Sequence, residues 1–287
     1  MTDQSSLIHP SAPEFLSAVA LFSAPVDVEA AVARIRTLWN EEFDAEWEEV
    51  QGGRILRFVL EDVLVLTTPV ASVLTPERGQ LPEHAFHVAI TCYAPLEADK
   101  LPGGGTQVAR EPEAASGAGG DRAEERAREV DDLLPEPVRR RKRALASHVV
   151  LTELADALMR EEAAVGLFRP DLGVVQPPEM VIELADLLGR GQAPLPLWVG
   201  VRTGRPGLAF GRTLGMPLFG HLDLEVVQSA RTEEEIYAML ANIADYVIGS
   251  DTHILPGQSV GYREGDELAV SQAVSEADGA PVLRIDF

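Results

Sequence analysis

The stretch Arg212-Thr213-Leu214-Gly215-Met216-Pro217-Leu218-Phe219-Gly220-His221-Leu222-Asp223-Leu224-Glu225-Val226-Val227 decides the fold. A glycine-punctuated loop gives way to alternating polar and apolar residues, the period of a strand with two unlike faces. Thr232 follows, and Glu235 lies three residues after it, the spacing of a reciprocal helix cap. Ile236, Leu240, Ile243 and Val247 then recur at helical spacing, and Gly249 ends the run. Gly215 and Gly220 are expected to need positive φ or close backbone approach at the entry to a central strand.

Upstream, residues 15–24 read as a strand, and Asp27 caps a helix from 28 to about 43 whose apolar face is Val28, Val32, Ile35 and Trp39. Strands over 47–50, 54–60 and 63–68 are separated by tight turns at Gly52-Gly53 and Glu61-Asp62. In a further strand, 84–93, Phe86, Val88, Ile90 and Cys92 share one face and His87, Ala89 and Thr91 the other. Pro137 opens a long helix reaching about 163, with Leu145, Val149, Thr152, Ala155 and Met159 as its buried stripe. A hairpin (165–169 with 173–176), a helix opened by Pro178 and closed by Gly189, and an apolar strand at 197–202 come next. Strands near 259–262, 268–273 and 281–285 finish the chain, with Phe287 tied to the sheet.

A strand, a helix and then several strands indicate α+β: a mixed, largely antiparallel sheet system with helices packed on one side. Each half repeats that order, so two similar subdomains are an alternative to one composite domain. The expected organisation is an α+β subdomain at 14–95, an acidic Gly-rich flexible insert at 96–136, and a second α+β subdomain at 137–287. The insert carries glycine runs and many acids with almost no large apolar residues before Val130, too little apolar surface to offset ordering entropy.

Composition narrows the function classes. The chain has 287 residues and a formal net charge of −22, a field that repels polyanions and disfavours nucleic acid and anionic membrane as partners. Lys100 and Lys142 are its two lysines among many arginines, alanines and glycines, which suggests a GC-rich bacterial coding sequence. With one cysteine, Cys92, no intramolecular disulfide is possible. Residues 1–11 lack the basic-then-apolar pattern of a secretory leader, and no apolar run is long enough for a membrane span, so a cytoplasmic location is expected.

Chemistry-bearing patterns are few. His221, Asp223 and Glu225 fall on one face of the expected strand, where an imidazole and two carboxylates could ligate a divalent ion or act as a base. The competing reading is the solvated face of a half-buried strand. His84 and His87 sit on opposite strand faces, His148 lies beside a core stripe, and His9 and His253 occupy loops without a partner motif. Cys92 belongs to an apolar face and reads as core. No phosphate loop, dinucleotide fingerprint or serine nucleophile elbow occurs, so no cofactor is expected. Arg139, Arg140, Arg141, Lys142 and Arg143 form the one dense basic run. They oppose the dipole of the helix they open and are read either as a charge-paired helix start or as a surface for a partner.

Residues 196–286 resemble a bacterial family known as domain of unknown function forty-two sixty-one. The resemblance rests on Leu197-Trp198-Val199-Gly200-Val201, on Thr213-Leu214-Gly215-Met216 through Leu224-Glu225, on the helix with Ile243-Ala244-Asp245-Tyr246-Val247, and on Gly257-Gln258-Ser259-Val260-Gly261. The acidic insert and the Arg-rich pentad depart from it. It implies a fold and no catalytic residues. The expected function is a non-enzymatic binding or regulatory module, of the immunity- or stress-associated kind, with a protein partner. The alternative is a metal-dependent hydrolase built on His221, Asp223 and Glu225.

Overall fold

In a computed structural model that describes residues 8–76, 80–96, 134–205, 207–263 and 267–287, the alternating segment Phe15–Phe22 forms β1, which turns Leu16, Ala18, Ala20 and Phe22 into the core. Asp27 accepts a hydrogen bond from the Ala30 N–H and starts α1 (Val28–Leu38), which buries Val28, Val32 and Ile35. Trp39 caps it and Asn40 takes φ 56°, so the helix ends short of Phe43. The meander β2 (Ala45–Val50), β3 (Gly53–Leu60), β4 (Val63–Val70) and β5 (Phe86–Tyr93) then returns to pair β5 antiparallel with β1. Glu61 and Asp62 both have positive φ in the β3–β4 turn, the geometry that suits the twist of a two-residue hairpin.

Helix α2 (Glu136–Met159) crosses the inner face of this sheet and packs on α1 and on α3 (Pro178–Ala185). Neighbours on several sides bury every residue from Val150 to Met159, so no single stripe describes it, and Leu145 from the expected stripe is exposed. The hairpin β6 (Ala164–Arg169) and β7 (Val174–Gln176) adds to the other side of β1. The first sheet therefore has seven antiparallel strands in the order β2-β3-β4-β5-β1-β6-β7, and it draws two of them from beyond residue 137. The sheets do not divide at the acidic insert. Residues 97–133, which hold most of that insert, lie outside the described residues.

Two local expectations change. The left-handed residue after α3 is Gly191 (φ 70°), at the end of a further helical turn, and not Gly189. The strand expected at 197–202 begins only at Gly200, and residues Leu195–Trp198 form a helical turn, α4, ahead of it. Pro194 and Pro196 lack the N–H that a strand ladder would use and have the φ that a helix start requires.

The second sheet comprises β8 (Gly200–Gly204), β9 (Ala209–Leu214), β10 (Asp223–Ser229), β11 (Ser259–Gly261), β12 (Glu267–Val274) and β13 (Pro281–Ile285), in the order β11-β12-β13-β10-β9-β8. The β10–β13 pair is parallel and the rest antiparallel. Helix α5 (Glu233–Gly249) has the reciprocal cap, Thr232 Oγ1 accepting from Glu235 N and Glu235 Oε2 from Thr232 N, and it packs across β8, β9 and β10. Both sheets share a plan: a strand, a helix, then a meander whose last strand returns beside the first. A four-strand meander returns antiparallel to β1, and a three-strand meander returns parallel to β10. The fold is α+β with two open sheets. No helix among the described residues is long and apolar enough to cross a membrane.

Candidate functional site

β10 lies between β9 and β13 with α5 against it, and every side chain from His221 to Val226 is buried. The polar side of this alternation is an interior surface and not the solvated face that alternation suggests. Register explains its chemistry. Glu225 stands opposite Arg212 of β9 and opposite Arg284 of β13. Its Oε2 accepts from Arg284 Nη2 at 2.8 Å and its Oε1 from Ser275 Oγ at 2.5 Å. Arg212 Nη1 donates to the same Ser275 hydroxyl at 3.0 Å and to Asp278 at 2.8 Å. Asp223 Oδ1 accepts from Thr213 Oγ1 (3.1 Å) and from Met216 N (3.2 Å), and its Oδ2 lies 3.7 Å from Arg212. Burial raises the Asp223 carboxyl to about 6, against the opposing pull of Arg212. Both carboxylates are thus held by arginines and hydroxyls within the sheet.

His221 is not part of that network. It precedes β10, after the turn Met216–Phe219, and faces away to His9 and His253. Ring centroids in this triangle are 5.7 Å (His9–His221), 4.9 Å (His221–His253) and 4.8 Å (His9–His253). Among the described residues no group of three or more His, Cys, Asp or Glu is arranged to hold a metal ion. His9 shows why: Nδ1 accepts from Leu222 N at 3.1 Å and Nε2 donates to Ile254 O at 2.9 Å, leaving no lone pair for a cation. Burial lowers His221 to about 3, and neighbouring His253, His9 and Arg141 push it the same way. No spacing in the sequence ties residues 9, 221 and 253 together, so this cluster is visible only in the fold.

Gly215 (φ 107°) and Gly220 (φ 75°) bracket the turn that joins the end of β9 to His221. A Cβ on Gly215 would lie 2.7 Å from Leu172 Cδ2 and 3.0 Å from Trp198 O, and one on Gly220 would lie 3.1 Å from Arg141 Cγ.

The basic pentad faces several elements. Arg140 pairs with Glu136 and Glu14, Arg143 with Asp62 in the β3–β4 turn, and Arg141 with Asp251 beyond α5. Arg139 is half-buried and Lys142 exposed. One of these partners, Glu136, is a neighbour in sequence; the others are remote, so the run staples α2 to separate parts of the molecule.

The remaining candidates are structural in their contacts. His84 and His87 both anchor the β4–β5 connection, His84 through Leu74 N and Pro82 O and His87 through Ser72 O. His148 is fully buried, donates from Nδ1 to Ala144 O and stacks on Phe219 at 4.0 Å. Burial pushes the Cys92 thiol up to about 12, far from the range of a nucleophilic thiolate. Glu153 of α2 gave no signal in the sequence. Its burial, beside Glu61 and Glu41, raises its carboxyl to about 8, and Oε2 has no partner among the described residues.

Several openings face solvent; besides one of about 250 Å³ beside His9, Arg141, Gly220 and His253, two larger ones border the sheets. One, of about 610 Å³, lies between the β6–β7 hairpin and β8, and Arg202 reaches across it to Leu172 O at 3.0 Å. The other, of about 400 Å³, separates α5 from β11. Ile243, Ile254 and Val260 make its apolar lining, and Tyr246, Tyr262 and Asn242 line it as well. His253 belongs both to this cleft and to the histidine triangle.

The model of the family "Domain of unknown function (DUF4261)" matches residues 212–286. The match runs from within β9 to the end of β13 and contains the Arg212–Glu225–Arg284 rung and the whole α5–β11 cleft. It supports the resemblance read from the sequence over that part of the chain. No curated protein and no solved structure matches.

Proposed function

We propose that this protein is a binding module for a protein partner, and that the matched C-terminal part carries the binding surface. One contrast supports this reading. Asp223 and Glu225, which looked like chemistry in the sequence, are held in internal pairs, whereas the α5–β11 cleft is open beside a strand edge that has no partner strand among the described residues. A cleft of about 400 Å³ lined by both apolar and polar side chains is of a size that takes a small ligand or a few side chains. The basic pentad contributes to the fold in this reading and not to the partner surface, because Arg140, Arg141 and Arg143 are ion-paired to Glu14, Asp251 and Asp62.

The test is affinity purification of the tagged full chain from its native cells at low and moderate salt, followed by reconstitution from purified components. The expected result is one stoichiometric partner that rebinds in a defined ratio. Monomeric protein with no partner, together with a saturable turnover abolished by one substitution, would overturn the reading.

A further inference from the structure

Among the described residues the two open sheets leave four edges, and three of them carry features that disfavour an added strand. β2 carries Glu46, Glu48 and Glu49, charges that repel an incoming strand. β7 and β8 border one groove, bridged by the hydrogen bond from Arg202 to Leu172 O, and Gln176 Nε2 of β7 donates to Pro196 O at 2.9 Å. β11 is different. It is last in its sheet, bears Ser259, Val260 and Gly261 with no charged side chain, and faces the α5 cleft.

The register shows which of its backbone groups are open. Gly257 N (φ 86°) donates to Val270 O while Val270 N donates to Gln258 O, so Gly257 and Gln258 form a bulge opposite Val270 and the Gln258 carbonyl points at β12. Two residues on, Val260 pairs with Leu268 in the same sense, which turns the N–H and C=O of Ser259 and Gly261 away from β12. Among the described residues these groups have no backbone partner. An extended backbone meets such a row of alternating donors and acceptors, and the cleft beside it accepts side chains.

We infer that an extended peptide segment of the partner adds as a strand to the free edge of β11. It inserts an apolar side chain between Ile243, Ile254 and Val260 and carries net positive charge. The charge follows from the whole-molecule value of −22 and from exposed Asp245 and Glu267 flanking the cleft, against Arg263 stacked over Tyr262 at 5.0 Å. This inference rests on the binding-module reading and names its contact.

The experiment uses fluorescein-labelled seven-residue peptides of alternating lysine and apolar residues, with a matched panel carrying glutamate for lysine. Binding is read by anisotropy and by amide hydrogen exchange on the full chain. The cationic panel is expected to bind at least tenfold more tightly than the acidic one and to protect the Ser259 and Gly261 amides. Gly261→Pro removes one outward donor at a site where an added Cβ meets nothing within 4 Å, so the fold should keep its Tm while binding falls tenfold or more. Arg202→Ala, in the other groove, should leave binding unchanged. Protection at β7 or β8, equal binding by Gly261→Pro, or concentration-dependent pairing of two copies through β11 without peptide would each overturn the inference. A reconstituted partner that still binds Gly261→Pro would sink the β11 contact and leave the binding-module reading standing.

Discussion

Gly215 and Gly220 both adopt backbone that L-residues rarely enter, yet their surroundings differ enough to rank them. At Gly215 an added Cβ meets the Trp198 carbonyl at 3.0 Å and Leu172 at 2.7 Å, and a main-chain oxygen cannot swing aside. At Gly220 the nearest atom is the Arg141 stem at 3.1 Å, which can move. Gly215→Ala should therefore cost about 3 kcal/mol and Gly220→Ala about 1–2 kcal/mol, measured by urea denaturation. Equal losses would show that φ alone sets the cost. Glu153 ties stability to pH. Its native carboxyl titrates near 8 against 4.5 in the unfolded chain, so between those values the native state holds the extra proton. Stability from this group then falls as pH rises through the window. Glu153→Gln should leave stability unchanged near pH 4 and raise it by on the order of 2 kcal/mol at pH 9. A gain equal at both values would mean that packing, not ionisation, is responsible.

Elements show where sequence reading succeeds and why it stops. Local signals gave α5 to the residue: the Thr232–Glu235 cap, the stripe at Ile236, Leu240, Ile243 and Val247, and the stop at Gly249 are all within one helix. β10 was equally legible as a strand, because alternation is local. Its burial was not, because Glu225 is stabilised by Arg212 and Arg284, 13 and 59 positions away, brought level only by the pairing of three strands. The same limit applies to α2, where Leu145 fits the periodicity but stays exposed among the described residues, and to the cleft, whose helix and strand were each foreseen but not their apposition. The β10 rung also yields a test. Glu225→Ala leaves Arg284 and the Ser275 hydroxyl without their acceptor inside the sheet and should cost about 3 kcal/mol. Arg284→Met, which keeps volume and removes charge, should cost a similar amount alone. Combined with Glu225→Ala it should recover part of that loss, read as a coupling energy in a double-mutant cycle. Strict additivity would mean that the pair is not coupled.

Across the whole molecule the question is whether the two sheets are separate cooperative units. Buried apolar residues from β1 through β13 form one continuous cluster, with α2 at the junction. Polar contacts cross the same junction: Trp198 Nε1 donates to Thr152 Oγ1 at 2.9 Å, and Arg169, buried in β6, donates to Leu197 O at 2.8 Å. Phe219, from the turn before β10, stacks on His148 of α2 at 4.0 Å and lies 5.8 Å from Trp198. Neither sheet can unfold without exposing this shared interior, so calorimetry should show one endotherm with van't Hoff and calorimetric enthalpies in agreement. Acid adds a directional check. His148 and His221 are each held near 3 in the native state against 6.5 unfolded, so these two groups lose stability as pH drops from 6.5 toward 3. The raised carboxyls of Glu153 and Asp223 oppose that loss until they are protonated in the unfolded chain too, and the fall should be steepest below about pH 4. Because His148 sits at the junction and His221 at the triangle, that loss should lower the single transition as a whole. Phe219→Ala is the decisive variant. It empties the centre of the junction and should cost about 3–5 kcal/mol. If the junction unites the sheets, the endotherm shifts down as one peak; if it merely abuts two independent domains, the peak splits and the first sheet melts at its original temperature.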